Sequence, residues 1–442
     1  MFNFFKPAPA MPRLAKDKIP SAYKMYRLRV FLMIFVGYAG YYLVRKNFAV
    51  ASPFLISNYH FTKTDIGLIS TGLAVAYGLG KFVLGSLADR SNVKYFLGFG
   101  LLASAVVSIL MGFTSTVWIF LILMIINGLF QAMGAPPCSI VIGKWFSQNE
   151  RGLKMGIWNT SHNIGGGLIA PLATLALVLF GASNFQSIFY LPAVICIVVA
   201  IFVFIVGADT PESVGLPPID EYRNDYSEIK TEEDPVKLST KEIIFKYVLT
   251  NKYVWYLCLA NIFVYLIRQG VVNWIPIYLH EAKNFTNADA NWAMFLFEYA
   301  AIPASILLGW LSDVLFKGKR APLSIICMVG VIFAVVAYWT TSNYMVTMIS
   351  VAVIGCFIYG PQLLIGMNLI DIVPNFAVGA AVGLSGLCAY ILGELMADLV
   401  IGFIADNFGW NGAFIFIICG AVIALILLSL TLNTKKANNH NN

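Results

Sequence analysis

Two arginines with matching neighbours stand in strongly apolar parts of the sequence. The tetrapeptide at 42–45 (YLVR) returns with one residue changed at 265–268 (YLIR), so that Arg268 follows Arg45 by 223 residues. An arginine in the middle of a membrane helix costs about 2.5–3.5 kcal/mol, which makes a function the default expectation. A guanidinium is always charged, and its planar fork of donors fits a phosphate group bidentately. The pair therefore predicts a phosphate site shared by two halves, unless each arginine only pairs with an intramembrane carboxylate.

Two further basic side chains belong to the same part of the sequence. Lys46 follows Arg45 and points about 100° away from it around a helix, so it cannot share the same face. The sequence favours an ion pair between Lys46 and a carboxylate, and Glu298 is the best candidate by depth. Lys81 lies four residues after Tyr77 and shares its helix face, where it either lines a cavity or extends to the membrane surface.

A polar run within an apolar segment holds the next candidate. It contains Trp158, Asn159 and His162, and a helix this polar cannot face lipid. Trp158 and His162 are four residues apart and therefore share a face. A histidine can hydrogen-bond an anion and titrates near neutral pH, so His162 is predicted to bind substrate. The alternative is a histidine that bridges two helices.

Acids and tyrosines accompany these cations. Glu394 and Asp398 are four residues apart, and close like charges disfavour double ionisation. They would balance Lys46 or contact the organic part of a substrate, unless Asp398 lies at the membrane edge. Tyrosine hydroxyls can donate to phosphate, although packing is the commoner role of a single tyrosine. The tyrosines near the charges are Tyr38, Tyr42, Tyr77, Tyr265, Tyr299, Tyr359 and Tyr390.

The sequence contains no motif typical of an enzyme or of a metal centre. It contains no Walker pattern, no nucleophile elbow and no HExxH motif. The seven cysteines are scattered singly through apolar segments, which is typical of buried thiols. We therefore expect no catalytic residue, no metal and no cofactor.

Composition predicts an all-α membrane protein. The chain is 59% hydrophobic and 12% charged, about half the charged fraction of a soluble domain. At about 20 residues per span, its 442 residues have room for twelve transmembrane helices. The apolar segments lie near 28–50, 65–88, 95–113, 117–145, 153–181, 186–207, 252–279, 290–314, 321–340, 344–370, 377–405 and 411–432.

Further landmarks of the first half recur in the second. Residues 85–89 (GSLAD) match 309–313 (GWLSD), and Pro137 matches Pro361, in both cases 224 residues later. An even number of spans per half gives both copies one orientation, which is a parallel repeat. The predicted parts are an N-terminal segment 1–27, a six-helix bundle 28–208, a linker 209–247, a second six-helix bundle 248–433 and a tail 434–442.

Loop charges predict the orientation. Lysines and arginines fill the N-terminal segment and alternate short loops, whereas the opposite loops 182–186 and 341–344 have none. Basic residues collect on the cytoplasmic side of membrane proteins, so both termini are expected there. The basic loop residues are Arg90, Lys94, Lys144, Arg151, Lys154, Lys317, Lys319 and Arg320.

Several of these stretches resemble the organophosphate:phosphate antiporters of the major facilitator superfamily. The likeness is carried by residues 37–48 (GYAGYYLVRKNF), 158–167 (WNTSHNIGGG) and 263–268 (FVYLIR), and it covers nearly the whole chain. Residues 5–9 (FKPAP) and 221–226 (EYRNDY) are similar to the glycerol-3-phosphate branch. The resemblance implies exchange of inorganic phosphate for an organic phosphate ester.

It also implies a set of substrate-binding residues. The two phosphate-binding arginines of the family fall on Arg45 and Arg268, and its binding-site histidine falls on His162. The positions that line the family's cavity fall on Lys81, Tyr38, Tyr42, Trp158, Asn159, Tyr265, Tyr359 and Tyr390. Tyr77 joins them by its spacing from Lys81, and Lys46, Glu298 and Glu394 are predicted to form salt bridges or gates.

Departures from the family pattern leave the identity of the transported phosphate ester open. Ala135 replaces a tryptophan of the glycerol-3-phosphate branch, Asn273 replaces an aspartate, and Gln269 replaces a tyrosine. Glycerol-3-phosphate is the favoured substrate, with phosphoglycerate or hexose-6-phosphate as alternatives. The stretches that resemble the hexose-phosphate branch are 360–366 and Glu394, and those that resemble the phosphoglycerate branch are 301–304 and 376–383.

The expected mechanism is a rocking of two halves about a site near the bilayer midplane. Two arginines in an empty site repel each other, and a bound phosphate bridges them, so that only a loaded transporter reorients. The alternatives are a membrane sensor with little transport and a proton-coupled organic-anion carrier that uses Glu394 or His162. We further expect a monomer in a bacterial inner membrane, surrounded by the lipid bilayer and without a nucleic-acid partner.

Overall fold

The computed structural model consists of helices joined by short connections. It describes residues 5–88, 90–181, 183–224, 243–317, 319–374 and 377–434. The predicted landmark Asp89, residues 225–242 of the predicted linker and residues 435–442 of the predicted tail lie outside the described residues. Throughout the described ranges the regular elements are helices, which confirms the predicted all-α fold.

The first half departs from its predicted segments at two places. The predicted fourth span 117–145 is one candidate membrane span, Val117–Trp145, but its helix is interrupted after Gln131 and resumes at Ala135 with prolines in the first turn, which suit that position. The first helix extends beyond the predicted 28–50 at both ends, since its polar termini stay helical outside the apolar stretch. The helices are α1 Ile19–Tyr59, α2 Lys63–Ala88, α3 Val93–Met111, α4 Val117–Gln131, α5 Ala135–Trp145, α6 Gln148–Phe180, α7 Ser187–Val206 and α8 Ile219–Arg223.

The second half contains both α-helices and π-helical turns. Its last two predicted spans join in one helical run, which bends at Gly409, whose φ of 70° is in the left-handed region that favours glycine. The α-helices are α9 Lys252–Val272, α10 Ile275–Lys283, α11 Asn287–Val314, α12 Arg320–Thr340, α13 Tyr344–Ile372, α14 Val378–Cys388 and α15 Ile401–Ser429; the π-helical turns are Ile243–Val248, Ala389–Gly393 and Met396–Val400.

Ten helices of the described residues are long and apolar enough to cross a membrane. One of them, Ala380–Ser429, has 50 residues, which is enough for two passes at about 20 residues each. Within the described ranges α2 is not among the ten, although it covers the predicted second segment. The helices thus fit ten to twelve spans, and a count of twelve stays a prediction.

The chain divides into two compact units. Unit 1 comprises Met1–Ala51 and Val75–Thr231, and unit 2 comprises Ser52–Ala74 and Glu232–Asn442. The end of α1 and the start of α2 therefore belong to unit 2. The domain boundaries predicted from the sequence stay predictions.

In unit 1, α1 and α6 approach each other closely at Gly165. A Cβ at this position would lie 2.1 Å from the carbonyl oxygen of Ala39, so only glycine fits. The glycine therefore lets the backbones of the two helices lie close together. This contact also brings His162, about one turn earlier on α6, beside Tyr42 of α1, with 5.4 Å between the ring centres.

In unit 2, the start of α2 is held by a carboxylate from α15. Asp406 accepts hydrogen bonds from the backbone N–H of Lys63 at 3.1 Å and of Thr64 at 2.7 Å. The ammonium of Lys63 lies 3.1 Å from Glu281 and 3.8 Å from Asp406. The carboxylate thereby serves N–H groups that a helix start leaves without intrahelical partners.

Candidate functional site

In unit 1, Arg45 is buried among aromatic side chains. Only 8% of the residue is exposed. The guanidinium carbon lies 4.3 Å from the centre of the Tyr77 ring and 5.5 Å from that of the Tyr42 ring. An aromatic face attracts a cation without neutralising its charge.

The aromatic surroundings of Arg45 extend to α6. Tyr38 contacts Tyr42 at 5.5 Å and Trp158 at 4.7 Å between ring centres, and His162 lies beside Tyr42. All four of these side chains are buried. The structure thus brings four residues predicted from the first half, Tyr38, Tyr42, Trp158 and His162, into one cluster beside Arg45.

The remaining predicted residues of unit 1 differ in exposure. Lys81 and Asn159 are exposed, and the ammonium of Lys81 lies 5.9 Å from the Tyr77 ring that also contacts Arg45. Lys46 is buried, with 5% exposed. Its predicted pairing with Glu298 stays a prediction.

In unit 2, Arg268 is held by side chains of α13. It is 5% exposed, and its Nη2 donates to the Tyr359 hydroxyl at 2.8 Å while Nη1 donates to Oε1 of Gln362 at 3.1 Å. The guanidinium carbon lies 4.4 Å from the Tyr359 ring centre and 5.8 Å from that of Tyr265. Both oxygens are neutral, so these two bonds orient the guanidinium without cancelling its charge.

A hydrogen-bonded chain connects Arg268 to an acid. The Tyr359 hydroxyl donates to Oε2 of Glu298 at 2.8 Å, and Glu298 is 1% exposed. The carboxylate of α11 therefore acts on the arginine of α9 through a hydroxyl of α13. Gln362 also donates to the Tyr265 hydroxyl at 3.3 Å, and Tyr265 packs edge-on against Tyr390 at 5.3 Å.

Two amide–carboxylate pairs lie further along α9. Gln269 donates to Glu394 at 2.9 Å, and Asn273 donates to Asp398 at 2.8 Å. Each of the two predicted acids therefore has its own amide donor. Gln269 and Asn273 are also two of the positions at which the chain departs from the family pattern, which gives those departures a structural role.

The surroundings of the two arginines match. In each unit one tyrosine three residues earlier lies at 5.5 or 5.8 Å, and a tyrosine from another helix lies at 4.3 or 4.4 Å. The nearer ring comes from a different position in each half, Tyr77 on α2 and Tyr359 on α13, so the two settings match in distance while only Tyr42 and Tyr265 belong to the sequence repeat.

Some contributors were not among the predicted site residues. Gln362 was missed, although its position three residues after Tyr359 places it on the same helix face. Conversely, Tyr299 stacks on Phe295 at 4.1 Å, the packing role expected of a single tyrosine.

Sequence comparisons agree with this architecture. The model of the Major Facilitator Superfamily matches residues 34–397 and 290–442. The chain is 49% identical over 446 residues to the glycerol-3-phosphate transporter of Bacillus subtilis (strain 168), with 100% of both chains covered. It is 38% identical over 432 residues to the phosphoglycerate transporter protein of Salmonella typhimurium, with 97% and 93% covered.

Two other matches bear on function and fold. The membrane sensor protein UhpC of Escherichia coli (strain K12) is 36% identical over 439 residues, with 98% of this chain and 99% of that protein covered. A solved bacterial homologue of the human lysosomal transporter Spinster superposes with a TM-score of 0.77 at 16% identity, covering 92% of this chain and 97% of that one. The predicted family and membrane fold are confirmed: this multi-pass membrane chain belongs to the major facilitator superfamily.

Proposed function

We propose that the chain exchanges a small organic phosphate ester, glycerol-3-phosphate first of all, for inorganic phosphate. The observation that carries the proposal is the matched setting of Arg45 and Arg268, each buried between two tyrosine rings. The identity of 49% with a glycerol-3-phosphate transporter supports the choice of ester over the phosphoglycerate alternative, where the identity is 38%.

The chemistry of both sites suits a phosphate group. A phosphate monoester carries about −1.5 to −2 charges near neutral pH. Hydrogen bonds between a guanidinium and an anionic oxygen are about twice as strong as those between neutral groups. A guanidinium has five N–H donors, so phosphate oxygens would bind Arg268 alongside Tyr359 and Gln362, which keep it oriented.

The other predicted residues complete the proposed site. The substrate-binding set consists of Arg45, Arg268, His162, Lys81, Tyr38, Tyr42, Tyr77, Trp158, Asn159, Tyr265, Tyr359 and Tyr390. Gln362 is added because it positions Arg268. Lys46, Glu298 and Glu394 are proposed to form the charge pairs that change during the transport cycle.

Exchange follows from the charges. Without a bound phosphate, the positive charges of Arg45 and Arg268 repel each other and oppose any state that brings the two side chains close together. A bound phosphate or phosphate ester removes this penalty, so the loaded transporter reorients by rocking of its two halves and the empty one does not. Either substrate does so, which gives one-for-one exchange driven by the phosphate gradient.

The proposed setting is a bacterial inner membrane, with both termini in the cytoplasm and the protein as a monomer. The basic loops support this orientation through the positive-inside rule. A single cysteine introduced near the N-terminus, read out with a membrane-impermeant thiol reagent on intact cells, tests it: labelling from outside would contradict the orientation.

A competition assay tests the function and the ester together. Purified protein in phosphate-loaded liposomes takes up radiolabelled phosphate, and unlabelled glycerol-3-phosphate, phosphoglycerate and glucose-6-phosphate are added outside. We expect uptake to need phosphate inside and to be inhibited at the lowest concentration by glycerol-3-phosphate. Uptake driven by a pH gradient without internal phosphate would favour the proton-coupled carrier instead.

A membrane sensor of phosphate esters is the second candidate, because UhpC is 36% identical over nearly the full length. A sensor would bind the ester with little flux. Ester binding to purified protein without measurable phosphate exchange in the same preparation would therefore replace the exchange proposal with the sensor.

A further inference from the structure

A second concentration of positive charge lies in unit 1, well away from Arg45. A cavity of about 490 Å³ opens between the start of α1, the start of α6 and α8. Among the described lining residues, one acid, Glu150, stands against four basic residues, which leaves three positive charges in excess. Arg27 precedes Arg45 by 18 residues, or about 27 Å along α1 at 1.5 Å per residue. The basic lining residues are Lys24, Arg27, Lys154 and Arg223.

Aromatic rings hold two of these cations in place. The guanidinium of Arg27 lies 4.7 Å from the centre of the Phe146 ring. The ammonium of Lys154 lies 5.5 Å from the same ring and 5.3 Å from that of Phe31. Cation–π contacts of this kind fix the positions of charges while leaving them able to bind an anion.

The single acid is shared. Glu150 forms an ion pair with Arg27, lies 3.7 Å from Arg223, and accepts a hydrogen bond from the Ser147 hydroxyl at 3.1 Å. Burial alone would raise the pKa of Glu150, but these three neighbours outweigh it and lower the pKa. Its charge is therefore present at neutral pH and is lost only as the pH falls below the ordinary glutamate range. Among the described lining residues, one carboxylate therefore serves two arginines.

The cavity also lies at the edge of the apolar part of the unit. The membrane-spanning stretch of α6 begins at Leu153. Leu153 is 69% exposed, and Leu28, which lines the cavity, is 61% exposed. A ligand with a phosphate head and apolar tails would thus meet basic and apolar surfaces side by side.

We propose that this cavity binds a phosphate group at a site separate from Arg45 and Arg268, either the headgroup of an anionic phospholipid or a free phosphate compound. The phosphate takes the place of Glu150 as partner of Arg27 and Arg223, while Lys24 and Lys154 contact its remaining oxygens. Basic pockets between helices at the membrane surface are a recurrent means of holding such headgroups.

Hydrogen–deuterium exchange of the full-length protein tests the proposal, because it reports on residues 20–31 and 146–154 separately from the central arginines. One arm compares nanodiscs of phosphatidylcholine with nanodiscs containing phosphatidylglycerol. The other arm adds inorganic phosphate or glycerol-3-phosphate to the phosphatidylcholine nanodiscs. Slower exchange of both segments in the first arm assigns the headgroup, and in the second arm a free phosphate compound. Unchanged exchange in both arms overturns the proposal.

Variants separate binding from folding. Lys24→Gln with Lys154→Gln leaves the ion pairs of Glu150 in place and should raise the half-saturating ligand concentration at least about fivefold, the factor that corresponds to about 1 kcal/mol for a partly exposed ion pair. Glu150→Gln removes the competing carboxylate and should lower that concentration. Lys16→Gln with Lys18→Gln removes the same charge outside the cavity and should change nothing. Equal shifts in both double variants would show a diffuse charge effect and contradict a defined site.

Discussion

The hydroxyl of Tyr359 holds Arg268 and Glu298 at the same time, which makes Tyr359→Phe the most informative single change. The variant loses an acceptor at 2.8 Å from Nη2 of Arg268 and a donor at 2.8 Å from Glu298. It keeps the ring that lies 4.4 Å from the guanidinium. The substitution therefore tests the positioning of the arginine without removing its charge or its aromatic contact.

The size of the effect follows from the two lost bonds. Side-chain hydrogen bonds between membrane helices average about 0.6 kcal/mol and reach about 1.7 kcal/mol. Two such bonds amount to about 1–3 kcal/mol, and about 1.4 kcal/mol corresponds to a tenfold change in a binding constant. If half of the loss falls on the placement of Arg268, the KM for phosphate should rise about threefold to tenfold.

Phosphate exchange in proteoliposomes measures this change, and Tyr278→Phe is the matched control. The control removes a tyrosine hydroxyl that donates to the carbonyl oxygen of Trp339 at 3.2 Å, outside the proposed site. Tyr278→Phe should lower the unfolding temperature and leave the KM unchanged. A Tyr359→Phe protein with an unaltered KM would refute the idea that this hydroxyl positions Arg268.

Three further changes test contacts inside each unit. In Asp209→Asn an amide nitrogen replaces one of the two carboxylate oxygens that accept hydrogen bonds from the backbone N–H groups of Ala8 and Val93. One N–H group loses its acceptor, which should lower the free energy of unfolding, measured by thermal unfolding, by about 1–3 kcal/mol. Gly215→Ala places a Cβ on a residue with φ of 75° and 2.6 Å from the carbonyl oxygen of Pro12, and should speed trypsin cleavage in the N-terminal segment. Asp406→Ala removes the acceptor at the start of α2 and should speed amide exchange of residues 62–66 about fivefold, as expected for a cap of about 1 kcal/mol.

Much of the fold and the centre of the candidate site could be predicted, because a few patterns have few physical solutions. Long apolar segments in a chain with little charge must form membrane helices. An arginine buried in a membrane helix is costly and therefore indicates a function. The repeated neighbours of Arg45 and Arg268 indicated the same function in both halves.

The rest depends on registers between helices, which a single sequence does not reveal. Gln269 and Asn273 meet Glu394 and Asp398 because two helical stretches lie side by side in one register. Asp209 is the first residue of the predicted linker 209–247, yet it is 2% exposed and accepts two backbone hydrogen bonds in unit 1. Such partners come from distant parts of the chain and leave no local pattern.

The central claim is that Arg45 and Arg268 bind the phosphate of the exchanged substrate. Radiolabelled phosphate exchange by Arg45→Lys and Arg268→Lys, with insertion checked and Arg13→Lys as control, tests it most directly. Lysine keeps the charge but loses the planar fork of donors. The proposal predicts that both variants lose exchange while the control keeps it; near-normal exchange in both variants would contradict it.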